Sequence, residues 1–189
     1  MAKAPKALHF TGDDEADALI AREPLALLIG FALDQQVPVQ TAFSGPLKLQ
    51  QRLGPLDAAA IAAADPDRVL AAFRERPAIH RFPGSMARRV QDLCAYVSEE
   101  YGGDAARVWT DAADGADLSR RIGALPGFGE MKIIALGSVL AKRFDVEAAR
   151  ELVPSFPTLG DVDSSEALAD YQAMKRAHKA AMRAAAPTP

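Results

Sequence analysis

Between Pro24 and the Val37-Pro38 step the chain reads LALLIGFALDQQ, apolar on nearly every side of a helix from Leu25 to Asp34. Proline at a first helical position loses no hydrogen bond and presets φ. A helix with no polar face cannot lie on a surface, so this one must run through the middle of a core that the rest of the chain wraps. The apolar stretch Leu25–Leu33 is also too short to cross a bilayer, which takes about 20 residues. The first ten residues, MAKAPKALHF, lack the apolar centre of a signal peptide. The expectation is a cytoplasmic chain with no membrane partner.

What wraps the central helix is expected to be helical as well. Alanine fills 39 of 189 positions, which favours helices over strands. Pro, Gly and Asp divide the chain. Thr11-Gly12-Asp13-Asp14 opens a helix through Arg22; a run after Pro38 reaches Leu53 and stops at Gly54-Pro55; Asp57 and Asp65-Pro66 cap two short pieces, the second ending near Arg74. After Phe82-Pro83-Gly84, Met86, Val90, Leu93, Cys94, Val97 and Tyr101 recur at helical spacing and form one buried stripe. Cys94 on that stripe, and Trp109 in the Asp104–Asp111 segment, read as packing residues rather than a reactive thiol and a stacking platform. Helices are expected over Asp117–Ala124 and Gly129–Phe144, and a last one from about Ser164 to Ala186, with Pro187-Thr188-Pro189 as a frayed tail. The length and a hydrophobic fraction of 49% suit one all-α domain over residues 1–189. A single cysteine excludes a disulfide framework, a four-cysteine iron–sulfur cluster and a cysteine-based zinc site.

Chemistry concentrates in Leu118–Phe144, where two amphipathic helices are joined by Leu125-Pro126-Gly127-Phe128-Gly129. This matches a helix-hairpin-helix over about residues 117–144. Its glycines permit positive φ and let a phosphate approach the backbone, and the start of the second helix offers unpaired N–H groups. Lys132, Arg120 and Arg121 add positive charge nearby. The plainer alternative is a tight turn between antiparallel helices.

Three segments in this order, Leu28–Val37 (LIGFALDQQV), Phe82–Val90 (FPGSMARRV) and Leu125–Lys132 (LPGFGEMK), resemble the HhH-GPD superfamily of base-excision DNA glycosylases, nearest to a small bacterial group without an assigned substrate. The resemblance spans about residues 25 to 145. It implies a two-lobed all-helical HhH-GPD fold, a monomer whose partner is double-stranded DNA with a lesion, and a target nucleotide flipped into a cleft between the lobes. Gln35 or Gln36 would fill the vacated space and bond the orphaned base, since an amide both donates and accepts; the alternative is that the pair caps the preceding helix. Leu125, Gly127, Phe128, Gly129, Lys132, Arg120 and Arg121 would contact DNA. The resemblance implies no required cofactor, and allows a monovalent cation, potassium or sodium, among the hairpin carbonyls.

Catalytic positions depart from that pattern. The lysine of lyase-active relatives would fall at Met131; Lys132 is one residue on, about 100° around a helix, and is expected to point away. No lyase chemistry is expected there. Phe31 stands where adenine-excising relatives carry a glutamate. The family aspartate falls on Ala149 by direct count; Val162-Asp163-Ser164 resembles the family's Val-Asp-Thr context if Ala148–Gly160 contains an insertion, so Asp163, and Asp161 two residues away, are ranked above Asp145 as the carboxylate that activates water or stabilises positive charge at C1′. Asp163-Ser164-Ser165-Glu166 also reads as a capping box for the last helix. His80 is either a polar contact in the cleft or a satisfied turn histidine.

The reading is a DNA repair protein, a glycosylase without lyase activity. The alternative is a non-catalytic module for distorted DNA, and a third is a protein-interaction domain. The net charge of −3 does not oppose DNA, because the charges are unevenly placed: Leu118–Arg143 holds five basic residues and one acid, and Tyr171–Pro189 four and none. The basic last helix either follows a DNA backbone or is a solvated face.

Overall fold

A computed structural model describes residues 4–185; the expected tail at Pro187–Pro189 lies outside the described residues. The described residues form ten α-helices and two 3-10 turns, with no strand among them. The α-helices are α1 (Asp14–Arg22), α2 (Pro24–Leu33), α3 (Val39–Leu53), α4 (Ala58–Ala63), α5 (Pro66–Arg74), α6 (Pro83–Tyr101), α7 (Arg107–Thr110), α8 (Gly115–Gly123), α9 (Glu130–Arg143) and α10 (Ser165–Ala185). The 3-10 turns cover Glu147–Leu152 and Leu159–Asp161.

Every residue of α2 from Leu25 to Leu33 is buried, as its uniform apolarity requires. Helices α1, α3 and α6 pack around it. Two glycines set the approach of α2 to α3: a β-carbon on Gly30 would collide with the Phe43 ring, and one on Gly45 with the Leu33 side chain. Phe43 in turn meets Phe10 and Phe31 edge-on, each at 5.0 Å between ring centroids. Cys94 sits in this core, where burial pushes its thiol up to about 12, so it stays a protonated packing residue.

Helix packing sorts into two groups, α1–α6 on one side and α7–α9 with the 3-10 turns and α10 on the other, and their apolar side chains merge into one core. Four helix starts follow aspartate caps. Asp13, Asp57, Asp65 and Asp114 each accept from backbone amides in the first turn. Asp114 makes α8 begin at Gly115, two residues before the expected Asp117. The last helix is capped by Ser164, whose Oγ accepts from the Ala167 amide at 3.1 Å, so the expected capping box at Asp163 does not form. A capping box does form at Thr158 and Asp161, around the second 3-10 turn.

Candidate nucleic-acid cleft at the hairpin

The turn between α8 and α9 is built by its sequence. Leu125 C=O accepts from the Phe128 amide at 3.1 Å, with Pro126 second and Gly127 third at φ +82°, the type II turn signature. Gly129 has φ −93°, an ordinary value, so only the first of the two expected glycines uses positive φ. Leu125 and Phe128 are 2% and 5% exposed. They anchor the turn in the core, and the outward-facing part of this turn is backbone. Gly129 caps α9 without a side chain, and the amides of Gly127, Gly129, Glu130 and Met131 have no hydrogen-bond partner among the described residues.

A shallow cleft of about 290 Å³ opens over these amides, lined by Gln35, Gly127, Gly129, Glu130, Met131 and Lys132. It lies where the two helix groups meet. Gln35 arrives from the end of α2, where α2 stops at Asp34 and Gln36 takes φ +57°. Gln35 and Gln36 are both exposed rather than spent capping α2, and only Gln35 lines the cleft. Behind Gln35 stands a buried histidine. His80 Nδ1 accepts from the Phe82 amide at 3.0 Å, which leaves Nε2 as the protonated nitrogen, 3.1 Å from the carbonyls of both Leu33 and Gln35. Of its two readings the satisfied histidine therefore holds. Burial lowers its pKa, its two backbone hydrogen bonds opposing. Phe82, tied to the same ring, is 40% exposed under the Arg81 guanidinium at 4.8 Å.

Lys132 faces inward, contrary to expectation, while Met131 is 69% exposed. The Lys132 ammonium donates to Ala32 C=O in the last turn of α2 at 3.3 Å and stands 5.4 Å above the Phe128 ring. A helix C-terminus and an aromatic face both attract a cation, which explains its direction. Burial, and the nearby charge of Arg89, lower its pKa to about 8, with Asp34 opposing.

Sequence reasoning missed Asp34, Arg89 and Tyr171, and placed Lys175 only in the basic stripe of the last helix. Asp34 caps the end of α2 and is partly buried, which raises its pKa against the pull of Lys175 and Lys132. Its side chain makes no ion pair within 4.0 Å among the described residues. Tyr171 of α10 is close enough to feel the charges of Asp34 and Asp161 alike, and Lys175 stands 5.3 Å over its ring. A carboxylate directly before a Gln-Gln pair was the available signal for Asp34. Nothing in the sequence brought α10 to it.

The three expected aspartates do not line the cleft. Asp145 follows the far end of α9, about 20 Å of helix from the hairpin, and pairs with Arg150 at 3.0 Å. Asp161 is bonded through both oxygens, one to Lys142 at 2.6 Å and the other to the Thr158 amide at 2.8 Å; burial works against these partners, which still hold its carboxyl below the usual range. Asp163 is exposed and has no hydrogen bond among the described residues. Arg120 and Arg121 lie on α8 and share the Asp117 carboxylate, so neither lines the cleft.

Of the hairpin carbonyls, Gly129 C=O accepts from the amides of Lys132 and Ile133 and Leu125 C=O from that of Phe128, while those of Pro126, Gly127 and Phe128 accept from no amide among the described residues. Compared with known proteins, the chain matches no protein-family model, no curated protein and no solved structure.

Proposed function

We propose that the chain is a DNA glycosylase that binds duplex DNA at the hairpin, flips a damaged or inappropriate base and hydrolyses its N-glycosidic bond without a covalent intermediate. The observation that carries this reading is the convergence on one cleft of unpartnered hairpin amides, an exposed Gln35 amide and the amine of Lys132. Four free N–H groups beside a helix start suit a phosphodiester, and Lys132 adds a positive charge at the same place. Gln35 projects at the adjoining edge, where an amide serves the base orphaned by flipping. The exposed Phe82 ring, held to the same histidine, offers an apolar surface for the neighbouring base step.

Asp34 is the carboxylate we assign to chemistry. It directly precedes Gln35 and, though partly buried and outside the cleft lining, lies within the electrostatic reach of Lys132; in this scheme it accepts a proton from water as water bonds to C1′ and the C1′–N bond breaks toward the leaving base. Lys132, its ammonium held on the Ala32 carbonyl, serves phosphate binding in this scheme rather than attack on the sugar.

The test is incubation with duplexes bearing uracil, alkylated purines or oxidised bases, followed by alkali, beside a binding titration on a duplex with an abasic-site analogue. Excision revealed by alkali, with no borohydride-trapped adduct, is expected. Binding without excision across the panel assigns the cleft to lesion recognition alone. No salt-dependent binding overturns both.

A further inference from the structure

Helix α10 is fastened only by its first two turns. Leu168 is buried, Tyr171 partly so, and Gln172 and Gln40 exchange side-chain hydrogen bonds of 2.8 and 3.1 Å. From Ala173 to Ala185 every residue is exposed, so about 20 Å of helix leaves the body of the protein. A solvated helix with no apolar contact is not held by packing, and these residues show no role in the core.

Their arrangement is one-sided. Lys175, Lys179, Arg183 and Arg176 fall within about 100° of one another around the helix, and the opposite side is Ala177, Ala180, Ala181 and Ala184. No acid follows Asp170, and none of the four cations has an ion-pair partner among the described residues. From Lys175 to Arg183 the stripe runs about 12 Å, the axial rise of three to four phosphates of one DNA strand. The root of the stripe is fixed to α3 through Gln172 and Gln40, with Lys175 over Tyr171 and its charge acting on Asp34, the residue before Gln35.

We infer that the projecting half of α10 is a second DNA contact, an arm that lies along the phosphate backbone flanking the nucleotide held at the hairpin. This rests on the DNA reading of the cleft. The arm reads no sequence; it supplies the charge that a chain of net charge −3 otherwise lacks for non-specific binding.

The test is a salt titration of binding to a duplex with an abasic-site analogue, using the full chain and the triple variant Arg176→Gln, Lys179→Gln, Arg183→Gln. All three positions are exposed, and unchanged far-UV circular dichroism checks that the helix persists. Each lost phosphate contact lowers the slope of log K against log salt by about 0.9, so the triple variant is expected to lose about 2.7. Between 50 and 200 mM salt the parent chain then weakens roughly 40-fold more than the variant. Restoring charge with Arg176→Lys and Arg183→Lys keeps the parent slope. A variant slope equal to the parent's overturns the arm. So does selective loss of binding to phosphatidylserine vesicles with the DNA slope unmoved, which assigns the stripe to a membrane surface. Gly127→Val separates the two claims. If it weakens DNA binding while the triple variant does not, only the arm fails; if the parent chain binds no duplex, the cleft reading fails first.

Discussion

The Arg89 guanidinium donates a hydrogen bond to the side-chain oxygen of Gln35, linking α6 to the end of α2 across 54 residues of sequence. The same arginine lies against the hairpin: a β-carbon on Gly127 would stand 2.9 Å from its Cδ and Nε. Three elements distant in the chain thus meet through one side chain. Gly127→Val is expected to cost about 1–3 kcal/mol, from its φ of +82° and from displacing Arg89, and to free Gln35 of its partner. Gly129→Ala is expected to stay within about 0.5 kcal/mol, because its φ is ordinary and no atom lies within 4 Å of the new methyl. Urea melts of the two variants compare them; equal losses would refute the distinction.

Lys132 gives the cleft a pH dependence. With its pKa lowered to about 8, the free protein loses this positive charge across pH 7 to 9, and a phosphate binds the protonated form better. Duplex affinity is therefore expected to fall as pH rises through 8, up to tenfold per unit until the pKa of the bound form is reached. Lys132→Met should bind more weakly and lose this step, and Lys132→Arg should keep binding with a flat response. A step that persists in Lys132→Met assigns it elsewhere.

The core helix α2 was legible because a helix apolar on every side has one place to go, and the caps at Asp13, Asp57 and Asp65 were legible because each needs only its neighbours. The hairpin turn was legible from Pro126 and Gly127 for the same reason. What the sequence could not show is which residues distant in the chain meet. Lys132 turns inward because Ala32 C=O and the Phe128 ring are there to receive it, a fact about α2 and not about the spacing within α9. The three aspartates were ranked by their local sequence context after the hairpin, yet Asp145 pairs with Arg150 and Asp161 with Lys142 at the far end of α9, while Asp34, almost a hundred residues before the hairpin, feels the charge of Lys132.

His80 makes the cleft sensitive to acid. Its pKa is lowered in the folded state, so the unfolded chain takes up the proton first and stability falls as pH drops below about 6.5. Protonation would place a hydrogen on Nδ1, where the Phe82 amide already donates. The melting temperature is expected to decline between pH 7 and 5.5, with a smaller decline in His80→Asn, which starts lower.

Glu130, at the start of α9, lines the cleft and opposes a phosphate there. Its negative charge stabilises the helix terminus by about 0.3–1 kcal/mol at most. Glu130→Gln is expected to tighten duplex binding severalfold at low salt, with the gain shrinking as salt screens the charge, and to lower stability slightly. A variant that binds no better at 50 mM salt places the phosphate away from the hairpin amides.

Asp34 and Asp161 are told apart by opposite responses to loss of charge. Asp161 spends both oxygens on Lys142 and Thr158, so Asp161→Asn breaks a cap and an ion pair and is expected to cost about 1 kcal/mol of stability while excision continues. Asp34 is partly buried, disfavoured as an anion by that burial, and within the electrostatic reach of two lysines. Asp34→Asn removes a group that is costly to ionise, so the fold should be as stable or slightly more so. Single-turnover excision should nonetheless fall by about 100-fold or more, the usual contribution of a positioned base, with abasic-duplex affinity within a few-fold of the parent chain. In the parent chain the rate should drop on acidification through a pKa above the ordinary aspartate value, because the ionised form takes the proton from water. Full activity in Asp34→Asn with loss in Asp161→Asn would move the chemistry to the far end of α9.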